Sequence, residues 1–262
     1  MTINLYVQYT FSIMDNKVRQ KLLKINQCFY QNYASSFSDT RGRVQPGVRL
    51  LLESIHQNAT ILDVGCGNGS LARALKAQSF RGQYLGVDMS AELLSKSKEF
   101  MHEVNKGQFH FYQIDLSDPD WLNLIPAAPY DWLVSFAVLH HLPGAALRQE
   151  TASNFAKLIS PRSKVAVSVW QWRNSSRLRD RVLPWSTVDL DTTSIDESDV
   201  LLDWRAGDTP GVRYVHTFSE TSLTTLAENA GFQVIESFYS DGKSGNLALY
   251  QVWQLNDKQK SR

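Results

Sequence analysis

The stretch Ile61-Leu62-Asp63-Val64-Gly65-Cys66-Gly67-Asn68-Gly69-Ser70 constrains this chain more than any other. An apolar run passes into an acid, and the acid into three glycines at alternate positions. A helix-forming stretch, Ser70 to Ala77, follows at once. Glycine has no Cβ, so the backbone at 65, 67 and 69 can turn sharply and let a ligand lie against it. Strand, glycine loop and helix in that order put a ligand at the carboxyl end of the first strand of an open parallel sheet. The dinucleotide fingerprint G-x-G-x-x-G does not fit, because the third glycine comes one position early. Asp63 stands two residues before the first glycine. A carboxylate there repels a pyrophosphate and suits an ammonium group. The plain alternative is a strand-to-helix turn that needs glycine for geometry alone.

The rest of the core repeats the alternation. Thr60 to Val64, Gln83 to Asp88, Phe109 to Ile114, Tyr130 to Phe136 and Lys164 to Trp170 read as strands. Between them, Ala91 to His102, capped by Ser90, and Ala146 to Ile159 read as helices. Strands alternating with helices imply a parallel sheet covered on both faces. Before the core, Asn16 to Phe37 has apolar residues at helical spacing, and Pro46 suits the first turn of a second helix. After the core the rhythm stops over 171–218. Arg173, Arg177, Arg179 and Arg181 are followed there by an acidic run from Asp189 to Asp203. The expectation is a long irregular insertion. Ser219 then caps a helix that Gly231 ends. Phe232 to Tyr239 and Ala248 to Leu255 are strands whose short connection allows only an antiparallel pair. The expected organisation is a tail and helical cover over 1–58 and a Rossmann-like core over 59–170. The insertion over 171–218 and a completing helix and strand pair over 219–262 follow.

Composition narrows the functional classes. At 262 residues, 43% of them hydrophobic, one embellished α/β domain is expected. The net charge of +1 announces no nucleic-acid partner, so an RNA ligand needs a local basic face. Cys28 and Cys66 are the only cysteines; no disulfide framework and no zinc spacing arise from them. A reducing cytoplasm is the default, and no apolar run approaches the length of a membrane span. The first 14 residues lack the basic start and cleavage site of a signal peptide. Asp15 begins a charged helical stretch, so Met14 is an alternative start to Met1.

The motif Asp63-x-Gly65-x-Gly67-x-Gly69, with the strand pattern around it, resembles the class I S-adenosylmethionine (SAM) dependent methyltransferases. The resemblance implies a mostly parallel seven-stranded sheet with an antiparallel last strand and an N-terminal helical cover. It also implies a site for SAM, an amino acid at one end and adenosine at the other. Asp63, Gly65, Cys66, Gly67 and Gly69 then face the methionine portion. Asp88, 25 positions beyond Asp63 and at the end of the second strand, accepts the ribose hydroxyls or is a solvated strand-end acid. Met89 and Leu116 lie by the adenine, unless Met89 is simply core. Asp115 either accepts from the adenine amino group or caps the turn at Ser117. Ser135, at the end of the fourth strand, faces the reacting centre.

Four further stretches are Phe37-Ser38-Asp39-Thr40-Arg41, Val138-Leu139-His140-His141, Val182-Leu183-Pro184-Trp185 and Arg213-Tyr214-Val215-His216-Thr217-Phe218. In that order they resemble the tRNA wobble-uridine carboxymethyl methyltransferases. Leu183 stands in place of a valine of that family, and Ser70 and Met89 in place of a lysine and an arginine. The resemblance implies O-methylation of a carboxylate in the tRNA anticodon loop, and a small activator protein as partner. Arg41 and Arg213 would grip a carboxylate or phosphate. His140 would line the acceptor pocket, or act as base were the acceptor an alcohol or amine. His141 would turn into the sheet. The last stretch, from Arg213, would lead into the final helix. The arginines after the fifth strand form either a basic rim for RNA or an exposed loop of mixed charge. Two rivals stay open: a small-molecule O- or N-methyltransferase, and an idle SAM-binding partner subunit. No metal is expected.

Overall fold

A computed structural model describes residues 14–33, 43–101, 108–126, 129–205 and 211–256. Arg41 and the rest of the Phe37-to-Arg41 stretch lie outside the described residues, as does Met1.

The sheet is built around β1 (Thr60–Val64), whose Ile61, Leu62 and Val64 are wholly buried. It pairs in parallel with β2 (Gln83–Asp88) on one side and β4 (Tyr130–Phe136) on the other. Outside them lie β3 (Phe109–Gln113) and β5 (Ile159–Trp170), also parallel. Beyond β5 come two late strands, β10 (Ala248–Leu255) and β9 (Phe232–Ser240), so that the order is β3-β2-β1-β4-β5-β10-β9. β10 runs antiparallel to both neighbours. The chain reverses direction across the sheet between β1 and β4, and the carboxyl ends of those strands open a crevice there.

Strand residues alternate between two faces. Leu62, Val64, Leu133 and Val165 pack under α5 (Ala145–Lys157) and α7 (Glu220–Asn229) through Phe155, Leu223 and Leu226. Ile61, Tyr84, Trp132 and Val134 pack under α2 (Pro46–Leu52) and α3 (Ser70–Ala77) through Leu51, Leu71 and Leu75. α4 (Ala91–Met101) follows β2.

The insertion departs from the irregular segment that its sequence suggests. After the short α6 (Ser176–Arg179), β6 (Val182–Leu183), β7 (Asp199–Trp204) and β8 (Gly211–His216) form an antiparallel sheet in the order β6-β7-β8. An acidic run reads as solvated, but Asp199 is buried, where it accepts from Tyr214 Oη at 2.8 Å and pairs with His216 Nδ1 at 2.7 Å. The stretch from Arg213 is therefore strand β8, not the lead-in to a helix. α1 (Asn16–Asn32), capped by Asp15, packs Leu22 against Leu201 and Tyr214 of this sheet. Together α1 and the small sheet form a cap facing the crevice. No helix among the described residues is long and apolar enough to cross a membrane.

Candidate active site

A cavity of about 570 Å³ lies between the carboxyl ends of the central strands and the cap. That is within the range of sites for ligands of cofactor size.

The glycine loop forms its floor. Gly65 N–H and Cys66 N–H both donate to Val87 O, at 2.8 and 3.0 Å, and Gly67 N–H donates to Asp88 Oδ2 at 2.8 Å. Ser97 Oγ donates to Gly67 O at 2.9 Å from α4. Gly65 has φ +81°, and a Cβ there would stand 2.2 Å from Val138 Cγ2. At Gly67, φ +54°, a Cβ would meet no protein atom within 4 Å, because the position faces the cavity. Gly69 does not line the cavity; it turns the chain into α3 at φ +71°, close against Ser97.

Asp88 Oδ1 accepts from Ser90 N–H at 2.9 Å, and the side chain lines the cavity. Each oxygen of a carboxylate has two lone pairs, so both can still accept from a vicinal diol. Asp63 also lines the cavity, and Tyr84 Oη donates to its Oδ2 at 2.6 Å. Burial, above all, raises the Asp63 carboxyl to about 7; the Tyr84 bond opposes this and Asp88 adds to it. Burial likewise raises Asp88 and pushes the Cys66 thiol well up. Met89 and Leu116 line the wall beyond. Asp115 lines it too, with Oδ1 taken by Ser117 N and Oγ at 2.9 and 2.8 Å. One residue thus shapes a turn and faces the cavity.

Ser135 does not face the cavity. It is wholly buried within β4, paired with Val167, one residue short of the strand end. The histidines exchange the expected places. His140 is wholly buried behind Trp170, rings 5.4 Å apart and stacked. His141 lines the cavity. Strand alternation fails here because Ala137 takes a left-handed φ of +58° and Leu139–His141 form a 3-10 turn. His141 Nδ1 lies 3.0 Å from Tyr214 O, which can only accept, so Nδ1 carries the proton. In the neutral ring Nε2 then accepts from Tyr30 Oη, 2.8 Å away.

Arg213 is 1% exposed and lines the cavity. Its guanidinium carbon stands 4.7 Å from the ring centres of Phe29 and Trp170, and 4.8 Å from that of Trp204. Lys24, Arg43, Arg177 and Arg181 line the same cavity. Asp241 also does, but both its oxygens are engaged, by Gly47 N–H at 3.0 Å and Tyr250 Oη at 2.7 Å. Asp63, Asp88 and Asp115 thus meet the cavity from the ends of the sheet strands, and the cations meet it from the cap and its approach.

These positions fit SAM: an acid for an ammonium, an acid for ribose hydroxyls, and a glycine whose missing Cβ leaves room between. A model of a methyltransferase domain matches residues 37–237. The chain belongs to that methyltransferase family. It is a SAM-dependent enzyme with the class I Rossmann-like fold. Over 146 residues it is 32% identical to the tRNA (carboxymethyluridine(34)-5-O)-methyltransferase of Arabidopsis thaliana, covering 54% of this chain and 31% of that one. The Schizosaccharomyces pombe protein of the same name is 23% identical over 219 residues, 80% of this chain and 89% of the other. The matched stretch spans only 19% of the mouse relative, so this chain corresponds to a minor part of some of these proteins. Among solved structures, the methyltransferase in complex with the Trm112 methyltransferase activator of Haloferax volcanii superposes with a TM-score of 0.60. It is 15% identical, over 87% of this chain and 96% of that one. The magnesium protoporphyrin IX methyltransferase of Synechocystis, solved with bound S-adenosylhomocysteine, superposes at 0.54, with 15% identity over 89% and 86% of the two chains.

Tyr30, Trp170, Trp204 and Asn26 line the cavity without having been singled out by sequence. The one signal available was Asn26, a polar residue inside the apolar stripe Leu22, Ile25, Phe29 of α1.

Two outcomes are expected of this geometry. Gly67→Val abolishes SAM binding in calorimetry, since the new side chain enters the cavity; retained affinity would remove the glycine loop from the site. SAM affinity also falls as pH drops from 7 to 5.5. Asp63 titrates near 7 in the free protein, an ammonium beside it lowers that value, and binding therefore expels a proton below pH 7. The amine of SAM stays charged over this window. The loss is about tenfold, and Asp63→Asn flattens the profile; a flat profile in the parent protein would place the ammonium elsewhere.

Proposed function

We propose that the chain transfers a methyl group from SAM to the carboxylate of a 5-carboxymethyl-type wobble uridine in tRNA. The observation that carries this is the division of charge in one cavity. Asp63 and Asp88 belong to the sheet and Asp115 to the turn after β3; Lys24, Arg43, Arg177, Arg181 and Arg213 belong to the cap or its approach. A cationic cofactor fits the first group and an anionic acceptor the second.

SAM supplies the methyl group as a sulfonium. In this proposal Asp63 takes its ammonium, Gly67 lies along the methionine portion and Asp88 takes the ribose hydroxyls. Met89, Asp115 and Leu116 take the adenine. Arg213 meets the acceptor carboxylate in a dry, aromatic surround where its charge counts for more than in water. A carboxylate is ionised near neutral pH and needs no base. That agrees with His141, both of whose nitrogens are engaged by Tyr214 O and Tyr30 Oη. The task left to the protein is alignment and the exclusion of water. Arg177 and Arg181 would hold flanking phosphates.

Support also comes from the names of the Arabidopsis and S. pombe relatives. The likeness to a methyltransferase held in complex with a Trm112 activator extends the proposal to a small activator partner. On the same reading the work is done in the cytoplasm. A second reading, a small organic acid as acceptor, is favoured by the aromatic enclosure of Arg213. It draws on a Streptomyces avermitilis trans-aconitate 2-methyltransferase, 33% identical over 86 residues, 33% of this chain and 30% of that one.

Nucleoside mass spectrometry of tRNA from cells with and without the protein tests the proposal. The methyl ester disappears and the carboxymethyl nucleoside accumulates when the protein is removed; an unchanged nucleoside pool would sink the tRNA substrate. Arg177→Ala combined with Arg181→Ala raises the KM for tRNA and leaves SAM affinity alone. The slope of log affinity against log salt falls by about 0.7–0.9 for each phosphate that the variant no longer neutralises. A slope unaffected by the two changes, with turnover of a small acid, would favour the second reading.

A further inference from the structure

Asn26 stands on α1, 4% exposed, inside the hydrophobic seam between α1 and the small sheet. Its amide makes three hydrogen bonds to two remote segments. Nδ2 donates to His141 O at 3.0 Å and to Tyr214 O at 3.1 Å; Oδ1 accepts from Tyr214 N–H at 2.8 Å. A flipped amide would face two carbonyls with its oxygen and an N–H with its amino group, so the orientation is fixed by its partners.

The partners explain why an asparagine is buried here. β8 is the outer strand of its sheet, and the N–H and C=O of Tyr214 point away from β7 toward α1. A buried backbone group left unpaired is destabilising, because it has given up water and gained no partner. The Asn26 amide pairs them as a neighbouring strand would. His141 Nδ1 shares the Tyr214 carbonyl, so one oxygen receives both Asn26 and the imidazole. The other end of the His141 turn is held by Arg148, whose Nη1 donates to Leu142 O at 3.0 Å and to Tyr214 Oη at 3.4 Å. Arg213 is the residue next to Tyr214, on the face of β8 that meets the cavity, against Phe29, one turn of α1 beyond Asn26.

We propose that Asn26 is a positioning residue of the acceptor half of the site. It locks the edge of β8 to the His141 turn, and so fixes His141 as the Nδ1–H tautomer facing Tyr30 and holds Arg213 over the acceptor. This rests on the assignment of the cavity as a methyltransferase site. It adds a residue at the cavity wall whose amide is spent on backbone partners and which acts through the groups it positions.

The test uses the whole chain and reads three quantities: the 15N shifts of the His141 ring, SAM affinity by calorimetry, and turnover of tRNA bearing 5-carboxymethyluridine. In the parent protein His141 shows a protonated Nδ1 and an acceptor Nε2. In Asn26→Asp, a carboxylate oxygen faces the two carbonyls; in Asn26→Leu all three bonds are gone. Both lose the fixed tautomer, keep SAM affinity and lower kcat on the order of 10²-fold, the effect of a misplacement near 1 Å. Tyr30→Phe, which spares the hydrogen bonds of Asn26, keeps Nδ1 protonated and so reports on the lock if the Asn26 variants fail to fold. An Nε2–H tautomer in the parent protein or in Tyr30→Phe would overturn the proposal. So would Asn26 variants with unchanged tautomer and turnover, or with SAM affinity falling in step with kcat. Failure of the parent protein to bind SAM would instead refute the underlying methyltransferase assignment.

Discussion

Three successive amides hold the glycine loop, and the site depends on them. Gly65 and Cys66 donate to the last carbonyl but one of β2, and Gly67 to the side chain of its last residue. A loop with glycine at every other position has few side chains to pack and loses much conformational entropy on folding. The end of β2 compensates by catching it at each amide. Asp88 therefore has two tasks with one carboxylate: it secures the loop and keeps lone pairs for a ligand. The register between β1 and β2 places both, with Asp63 opposite Gly86 and Val64 opposite Val87. A glycine at 86 is what lets Cys66 lie down on the sheet, since a Cβ there would sit 2.9 Å from its sulfur.

The cap solves a different problem with the same means. Its sheet has only three strands, one of them two residues long, and could not cover the crevice alone. It gains a hydrophobic partner in α1, through Leu22, Leu201 and Tyr214, and a polar one in Asn26. A second polar cluster seals its far side. Asp196, Asp199 and His216 bring three ligand-type atoms within 4.8 Å of one another, beside Arg148, which lies 3.8 Å from Asp196 and serves as the cation of that cluster. Tyr214 belongs to both networks, by its backbone to Asn26 and by its hydroxyl to Asp199 and Arg148. The wall of the cavity around Arg213 and His141 is thus continuous with the interior of the cap.

The sheet was readable from the chain because it is made of local signals. Glycine spacing, strand-end acids and period-two burial each operate within about ten residues, and those signals brought Asp63, Gly67, Asp88 and Asp115 to one cavity. The cap was not readable, because its signals are long-range. Asp199 is an acid in an acidic run until His216 and Tyr214 are seen to pair with it. Asn26 is a polar interruption of an amphipathic helix until a strand 188 residues away presents its edge. The places of the two histidines came from the resemblance alone, and no local signal could decide between them. A left-handed alanine at 137 and the 3-10 turn after it set which one reaches the cavity. Ser135 failed by one residue at the same boundary.

A site of this kind limits its own chemistry. The imidazole that reaches the chamber has spent both nitrogens on fixed partners, and the other histidine of the pair is sealed behind Trp170. The carboxylates Asp63, Asp88 and Asp115 lie on the sheet side, among groups fitted to a cationic cofactor. An acceptor that must lose a proton to react would find, among the described residues of the cap, no group suited to take it. One that arrives already ionised would find Arg213, desolvated among three aromatic rings, and a ring of further cations outside. Such a surround strengthens attraction to an anion while excluding the water that would compete for it. On the proposed reading, a preference for a carboxylate over an alcohol or amine would follow from where the protons are held, with no base required to enforce it.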